Sequence, residues 1–133
     1  MTITARFDFI GMVVADMAKS LAFYRALGLE VPDGADAEGH VEVVLPGGLR
    51  MGFDTEETIR SFLPGWQPPA GGGRIGIAFA LADPAAVDAA YAELTAAGHH
   101  GELAPFDAPW GQRYATVPDP DGNGVDLFAP LAS

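Results

Sequence analysis

Three carboxylates, Glu42, Asp54 and Asp126, sit at alternating positions of apolar, strand-like segments. Carboxylates so placed act as general acids or bases when burial raises their pKa. No closely spaced inward pair of them stands out, so acid–base chemistry stays open without being indicated. Trp110 lies in APWGQ, between Pro and Gly, at the start of a strand. Such a Trp serves either as a packing residue or as a pocket wall. Gln112, Tyr114 and Thr116 follow it on the same strand face and favour the wall. His40 opens a face that also carries Glu42, and taken alone it reads as a surface histidine. His99 and His100 follow a helix-ending Gly and are expected in solvent. Trp66, beside a Pro-rich stretch, is either a lid or a hydrophobic peg. No Ser-His-Asp order with a nucleophile elbow is present. The GGGR run lacks the G-K-[ST] ending of a phosphate loop. No catalytic residue is assigned.

Composition narrows the partners. The chain has 133 residues, 49% of them hydrophobic, which suits one domain over 1–133 with a real core. With seven Lys and Arg and a net charge of −11, it lacks the clustered cations that a nucleic-acid or anionic-membrane partner requires. The acidity serves solubility and is compatible with a cationic ligand. Absence of cysteine removes disulfides, thiol nucleophiles and thiolate metal sites. The opening MTITARFDFIGMVV has no long apolar h-region and no run approaches membrane-spanning length, so a cytoplasmic location is expected.

The elements that must position these residues come in two similar sets. Around Asp16 the chain reads VVADMAKSLAFYRALGL, and around Asp83 FALADPAAVDAAYAELTAAG. In each, a strand ends at an Asp that can cap a helix, a Tyr follows eight residues later (Tyr24, Tyr91), and a Gly closes the segment (Gly28, Gly98). The second helix is three residues longer, close to one turn. A duplicated module with a pseudo-twofold follows, module one about 1–65 and module two about 66–133. Such folds place a ligand cleft between their parts.

Within module one, Phe7–Val14 reads as a strand, and Met17, Leu21 and Tyr24 share one helix face. HVEVVL and LRMGFD form a hairpin about Pro46-Gly47-Gly48. Val41, Val43 and Leu45 point one way and His40, Glu42 and Val44 the other. Leu49, Met51 and Phe53 oppose Arg50, Gly52 and Asp54. Asp54 and Glu57 stand at capping-box spacing for a short helix with Ile59 and Phe62 inward. Residues 64–73, PGWQPPAGGG, read as the linker. In the next strand, over 74–81, Ile75, Ile77, Phe79 and Leu81 are expected to pack on helices. Gly76, Ala78 and Ala80 leave the opposite face bare, either for a close neighbour or to make room for a ligand. Strands at 102–106, 112–118 and 124–129 complete the module, the last two joined by the turn PDPDGNG.

Strand-Asp-helix-Tyr twice over, together with WGQRYATVPDPDGNGVDLF, resembles the vicinal oxygen chelate superfamily across essentially the whole chain. That superfamily includes glyoxalase I, extradiol dioxygenases and bleomycin-resistance proteins. The resemblance implies an α+β fold of two βαβββ modules forming an incomplete barrel, usually paired in a dimer. Its enzymes hold a divalent metal at four inward positions, which correspond here to Phe9, Arg50, Gly76 and Asp126. Phe and Gly offer no side-chain ligand and Arg is a permanent cation, so metal chemistry is not expected.

VVADMAKSLAFYRALG, HVEVVLPGGLRMGFDT and WGQRYATVPDPDGNGVDLFAPL resemble more closely the drug-binding branch of the mitomycin-resistance type. That branch sequesters a toxic molecule at the dimer interface, its planar part stacked between aromatic groups. The matching positions are His40 and Trp110, and the chain departs from that type at Phe53 and Gly73. The resemblance therefore implies a metal-free homodimer that binds a planar, antibiotic-like ligand, with no cofactor and no catalysis. Its expected contacts are His40, Trp110, Tyr114, Gln112, Phe9, Glu42, Arg50, Phe53, Asp54 and Trp66. The alternative within the superfamily is a metal-dependent glyoxalase- or dioxygenase-type enzyme.

Overall fold

The computed structural model describes residues 3–70 and 74–132. Gly73 and the end of the expected linker lie outside the described residues. The chain divides into two compact units, Met1–Pro68 and Pro69–Ser133. It is of α+β type, with one open sheet in each unit. Among the described residues, no helix is long and apolar enough to cross a membrane.

In the first unit β1 (Phe9–Val14) leads into α1 (Met17–Ala26). Asp16, in extended backbone, accepts a hydrogen bond from Lys19 N at 3.0 Å, satisfying one of the open N–H groups of the first turn. The expected face is buried: Met17, Leu21 and Tyr24 pack inward, joined by Ser20 and Phe23. Leu21, Phe23 and Phe53 are fully buried, each stabilising the unit by roughly 1.5–3 kcal/mol. Tyr24 stands edge-on to Phe23 at 5.1 Å, and its hydroxyl donates to Met12 Sδ at 3.4 Å. At the helix end Gly28 has φ 97°, Gly28 N bonds Arg25 O, and Leu29 N bonds Tyr24 O. This is the Schellman closure, which asks for a left-handed residue that glycine supplies without strain. Beyond it, Pro32 and Gly34 precede a short 3-10 turn (Ala35–Ala37).

The hairpin forms as expected from β2 (His40–Val44) and β3 (Arg50–Thr55). The sheet order is β1-β3-β2, with β1 parallel to β3 and β2 antiparallel to it. Val41, Val43, Met51 and Phe53 are buried on one side, with Phe53 5.2 Å from the Tyr24 ring. A short helix, α2 (Glu56–Phe62), follows, but its cap is Thr55 rather than Asp54. Thr55 Oγ1 accepts from Thr58 N at 3.2 Å, while Asp54 still belongs to β3 and turns to His40. No residue of α2 is buried and Phe62 is 70% exposed, so the expected inward stripe is not formed.

The second unit is a full βαβββ module: β4 (Gly76–Ala80), α3 (Pro84–Ala96), β5 (Leu103–Ala108), β6 (Gln112–Thr116) and β7 (Gly124–Pro130). Its order is β4-β7-β6-β5, with β4 parallel to β7 and the remaining pairs antiparallel. Asp83 caps α3 through Ala86 N at 2.8 Å, with Pro84 in the first turn where its missing N–H costs nothing. Gly98 (φ 101°) repeats the Schellman closure, with Gly98 N on Thr95 O and His99 N on Leu94 O. The helices run 10 and 13 residues, the difference expected from sequence. Val87 and Leu94 of α3 are buried with Ala115, Val117, Val125, Leu127 and Ala129 in the core of this unit.

Two details differ from expectation. Ile75 precedes β4 and is 76% exposed, so only Ile77 and Phe79 of that strand are half-buried. The first unit also has no counterpart of β5 among its described residues. Pro32, which lacks a donor, and Gly34, at φ 77°, turn the chain where that strand would run. The β6–β7 turn is knotted on Asp119, which is 5% exposed. Its carboxylate accepts from Asp121 N, Asn123 N and Asn123 Nδ2.

Candidate functional site

Register places the candidate residues of the first unit on one side of its sheet, opposite the core side that holds Phe53. Phe9 pairs with Arg50 and Gly11 with Gly52, while His40 pairs with Asp54. The Phe9 ring lies across Gly11 and Gly52, and a Cβ at position 52 would run into it. The Arg50 guanidinium sits above that ring, 5.0 Å from its centroid.

Around this core of the face, charges alternate in a continuous row. Asp54 Oδ1 lies 2.6 Å from His40 Nδ1, and Glu42 Oε2 lies 2.8 Å from His40 Nε2. Arg50 donates to Glu42 at 2.7 Å and to Asp8 at 2.6 Å, and Arg6 pairs with Asp8 at 3.2 Å. Both neighbours of the imidazole are carboxylates, which only accept, so both ring nitrogens carry protons in this arrangement. The hydrogen bond to Glu42, then that to Asp54, raises the His40 pKa against a smaller opposing effect of burial. Glu42 is held below the usual carboxylate range by His40 and then Arg50. Arg50 is raised by Asp8 and Glu42. These are exposed pairs, each weak in water, and their value is positional. Glu42 becomes a poor base, and both ring nitrogens of the part-exposed His40 are occupied.

In the second unit, Trp110 stands at the tip of the β5–β6 hairpin, where Gly111 (φ 89°) turns the chain and Gly111 N bonds Ala108 O. Its indole N–H donates to Gln112 Oε1 at 2.9 Å. Its ring meets Tyr114 edge-on at 5.2 Å and Phe106 edge-on at 6.1 Å, and Phe106 meets Tyr114 at 6.4 Å. In an edge-to-face contact one ring gives its edge and the other a face. Trp110 is 57% exposed, far more than a packing Trp. Gln112, Tyr114 and Thr116 share this side of the sheet with Asp126 and Phe128, opposite buried Ala115, Val117, Leu127 and Ala129. Gly76, Ala78 and Ala80 on neighbouring β4 are all exposed.

Thus Phe9, His40, Glu42, Arg50 and Asp54 come together on one sheet, and Trp110, Gln112 and Tyr114 on the other. Two expected contacts fall elsewhere. Phe53 is fully buried among core residues on the far side of its sheet, which removes it from the ligand set. Trp66 follows α2, its ring under the Arg60 guanidinium at 5.3 Å and its carbonyl accepting from Arg60 Nε. These contacts hold Trp66 against Arg60 of α2. Sequence reasoning missed Phe106 and Asp8. Pairing the strands on either side of Trp110-Gly111 would have set Phe106 against Tyr114. Asp8 carries no local signal, since its link to Arg50 crosses two strands.

The four positions that hold metal in the superfamily's enzymes do not fit one here. The Arg50 guanidinium is bonded to Glu42 and Asp8, Phe9 is a ring beneath it, and Gly76 has no side chain. Asp126 alone offers oxygen, where hard cations and zinc need several donors. Among the described residues, no group of three or more His, Cys, Asp or Glu is disposed to hold a metal ion. A surface groove of about 600 Å³ lies elsewhere on the first unit, between Asp16, Glu38, Glu57 and Ser61. None of the candidate contacts lines it.

Residues 6–127 match the model of the Glyoxalase/Bleomycin resistance protein/Dioxygenase superfamily. No curated protein matches the sequence. Among solved structures, a glyoxalase/bleomycin resistance protein/dioxygenase from Nocardioides is 25% identical with a TM-score of 0.73, covering 100% of this chain and 88% of that one. A glyoxalase/bleomycin resistance protein/dioxygenase family enzyme from Burkholderia phytofirmans PsJN is 20% identical with a TM-score of 0.81, covering 96% and 100%. A lactoylglutathione lyase from Agrobacterium tumefaciens is 21% identical with a TM-score of 0.66, covering 96% and 95%. At such identities the last two speak for the fold alone. A match over nearly the whole chain, on this pair of strand-helix-strand modules, means that the protein belongs to the glyoxalase/bleomycin resistance protein/dioxygenase superfamily.

Proposed function

We propose that the chain is a metal-free binding protein that sequesters a planar or aromatic, antibiotic-like small molecule and so confers resistance to it. The observation that carries this reading is Trp110: an indole 57% exposed, steadied by Gln112, Tyr114 and Phe106, with a face free to stack. At the far edge of the same sheet, β4 presents Gly76, Ala78 and Ala80, leaving room where bulk would otherwise stand. His40 is the second stacking candidate, part-exposed and pinned at both ring nitrogens by two carboxylates. The protein acts in the cytoplasm, as a homodimer with the ligand at the subunit interface. Support for a dimer comes from the outer edges of the end strands of each sheet, β1 and β2 in one, β4 and β5 in the other.

The alternative, a metal-dependent lyase or dioxygenase, meets an unsuitable donor set at Phe9, Arg50, Gly76 and Asp126. The deciding experiment is a screen of planar natural products, read by quenching of the two tryptophans, with metal analysis of the same preparation. Saturable binding without stoichiometric metal is expected. Near-stoichiometric zinc, nickel, manganese or iron with turnover of a superfamily substrate would overturn the reading.

A further inference from the structure

Asp126 is the one formally charged strand residue on the Trp110 side of the second sheet, and stacking alone gives it no task. Its Oδ1 accepts from Thr116 Oγ1 at 2.7 Å. Burial first, then the nearby Asp126 carboxylate, pushes the Tyr114 phenol pKa up to about 12. Both neighbouring hydroxyls are neutral. In the first unit Glu42, Asp54 and Asp8 each face a cation, whereas among the described residues Asp126 makes no ion pair. A carboxylate has about four lone-pair sites, so the one hydroxyl bond from Thr116 leaves both capacity and charge unmet.

The surroundings show where a complement would come from. A Cβ at Gly76 would lie 3.7 Å from Asp126 Oδ2, so this oxygen overlooks the bare stretch of β4. Tyr114 joins this side of the sheet to the aromatic cluster, its ring edge-on to Trp110 and its phenol raised in pKa by burial and then by Asp126. Aromatic faces attract cations, and a half-buried carboxylate attracts them more strongly than one in open water.

We propose that this face selects planar aromatic cations: the ring system lies against Trp110 and Tyr114, and a protonated amine or ring nitrogen donates to Asp126. This rests on the ligand-binding reading above and names the chemical class of the ligand. The test uses the whole chain with acridine and aminoacridinium, rings of the same shape that differ in charge when the pH lies above acridine's own titration. Binding is followed by tryptophan quenching and by probe anisotropy. A charge-assisted hydrogen bond implies about ten- to a hundredfold tighter binding of aminoacridinium. Asp126→Asn keeps the shape and the Thr116 bond, and it should remove most of this preference with acridine affinity changed by less than about twofold. Glu93→Gln removes the same charge from an exposed position on α3 and should leave the preference intact. Equal affinity of the two probes for the unaltered chain overturns charge selection and leaves the ligand-binding reading standing. Binding of neither probe overturns both. A preference that survives Asp126→Asn and fades with salt belongs to the net charge of −11, and also overturns the assignment. The comparison on the unaltered chain needs no variant, so a misfolded Asp126→Asn leaves the proposal open to refutation.

Discussion

Trp110 and His40 are held in opposite ways, and that difference sets what their removal should do. Trp110 keeps a free face, and a stacked ring is worth about 0.5–1.5 kcal/mol beyond its area, with burial adding about 25 cal/mol per Å². Trp110→Ala should therefore weaken ligand binding by about tenfold to several hundredfold in isothermal titration, with the fold intact. His40→Ala should cost less, His40→Phe should keep much of the stacking, and the Trp110 and His40 changes should be non-additive. Near-unchanged affinity in Trp110→Ala would sink the stacking assignment. His40 also sets a pH dependence. Its folded pKa is raised, so its contribution to stability is fully present below the ordinary imidazole value and is lost as pH rises through the folded value. Glu42 is lowered, so its contribution is present above the ordinary carboxylate value and is lost as pH falls through the folded value. Thermal unfolding of the wild type and His40→Gln should show a gap that narrows on the alkaline side. A gap that widens there would contradict the double hydrogen bond.

Helix ends and turns carry the most local information, and they show how far sequence reaches. Asp16 and Asp83 cap their helices as their spacing predicts, and Asp→Ala at either should cost about 1 kcal/mol in urea unfolding. Asp119→Ala should cost more, since the buried carboxylate accepts three hydrogen bonds and its loss leaves Asn123 N and Asp121 N without their acceptor. A smaller loss at Asp119 than at Asp16 would mean that water replaces the knot. The α2 cap was not legible, because Asp54 and Thr55 are both good cap residues. Strand pairing decided between them: Asp54 sits opposite His40 and is drawn into that ion pair. Thr55→Ala should thus reduce α2 helicity more than Asp54→Ala. Phe53 was misplaced for a related reason. Alternation along β3 assigned it to the side of Met51, and the resemblance assigned it to the ligand. The side of Met51 proved to be the core.

For the molecule as a whole, repetition was the strongest signal in the sequence, and it survives down to matching Schellman closures at Gly28 and Gly98. The place where the repeat breaks, the missing counterpart of β5, was not read, although Pro32 and Gly34 mark it in retrospect. Contacts between distant segments, such as Arg50 with Asp8 or Phe106 with Trp110, stayed hidden because no local period encodes them. Assembly belongs to this scale too. Sedimentation at micromolar concentration should give a dimer. A monomer that binds ligand at full affinity would remove the subunit interface from the site.

The Phe9 ring resting on Gly52 makes sequence change on that sheet directional. A side chain at 52 meets the ring at once, so Gly52→Ala in the present chain must push Phe9 off its seat and lift Arg50 with it. Once Phe9 is reduced to alanine, the ring atoms that a Cβ at 52 would meet are gone. The two substitutions are thus tolerated in one order and resisted in the other. A chain drifting from this sheet face towards a different one must give up its ring before it can rebuild the floor beneath.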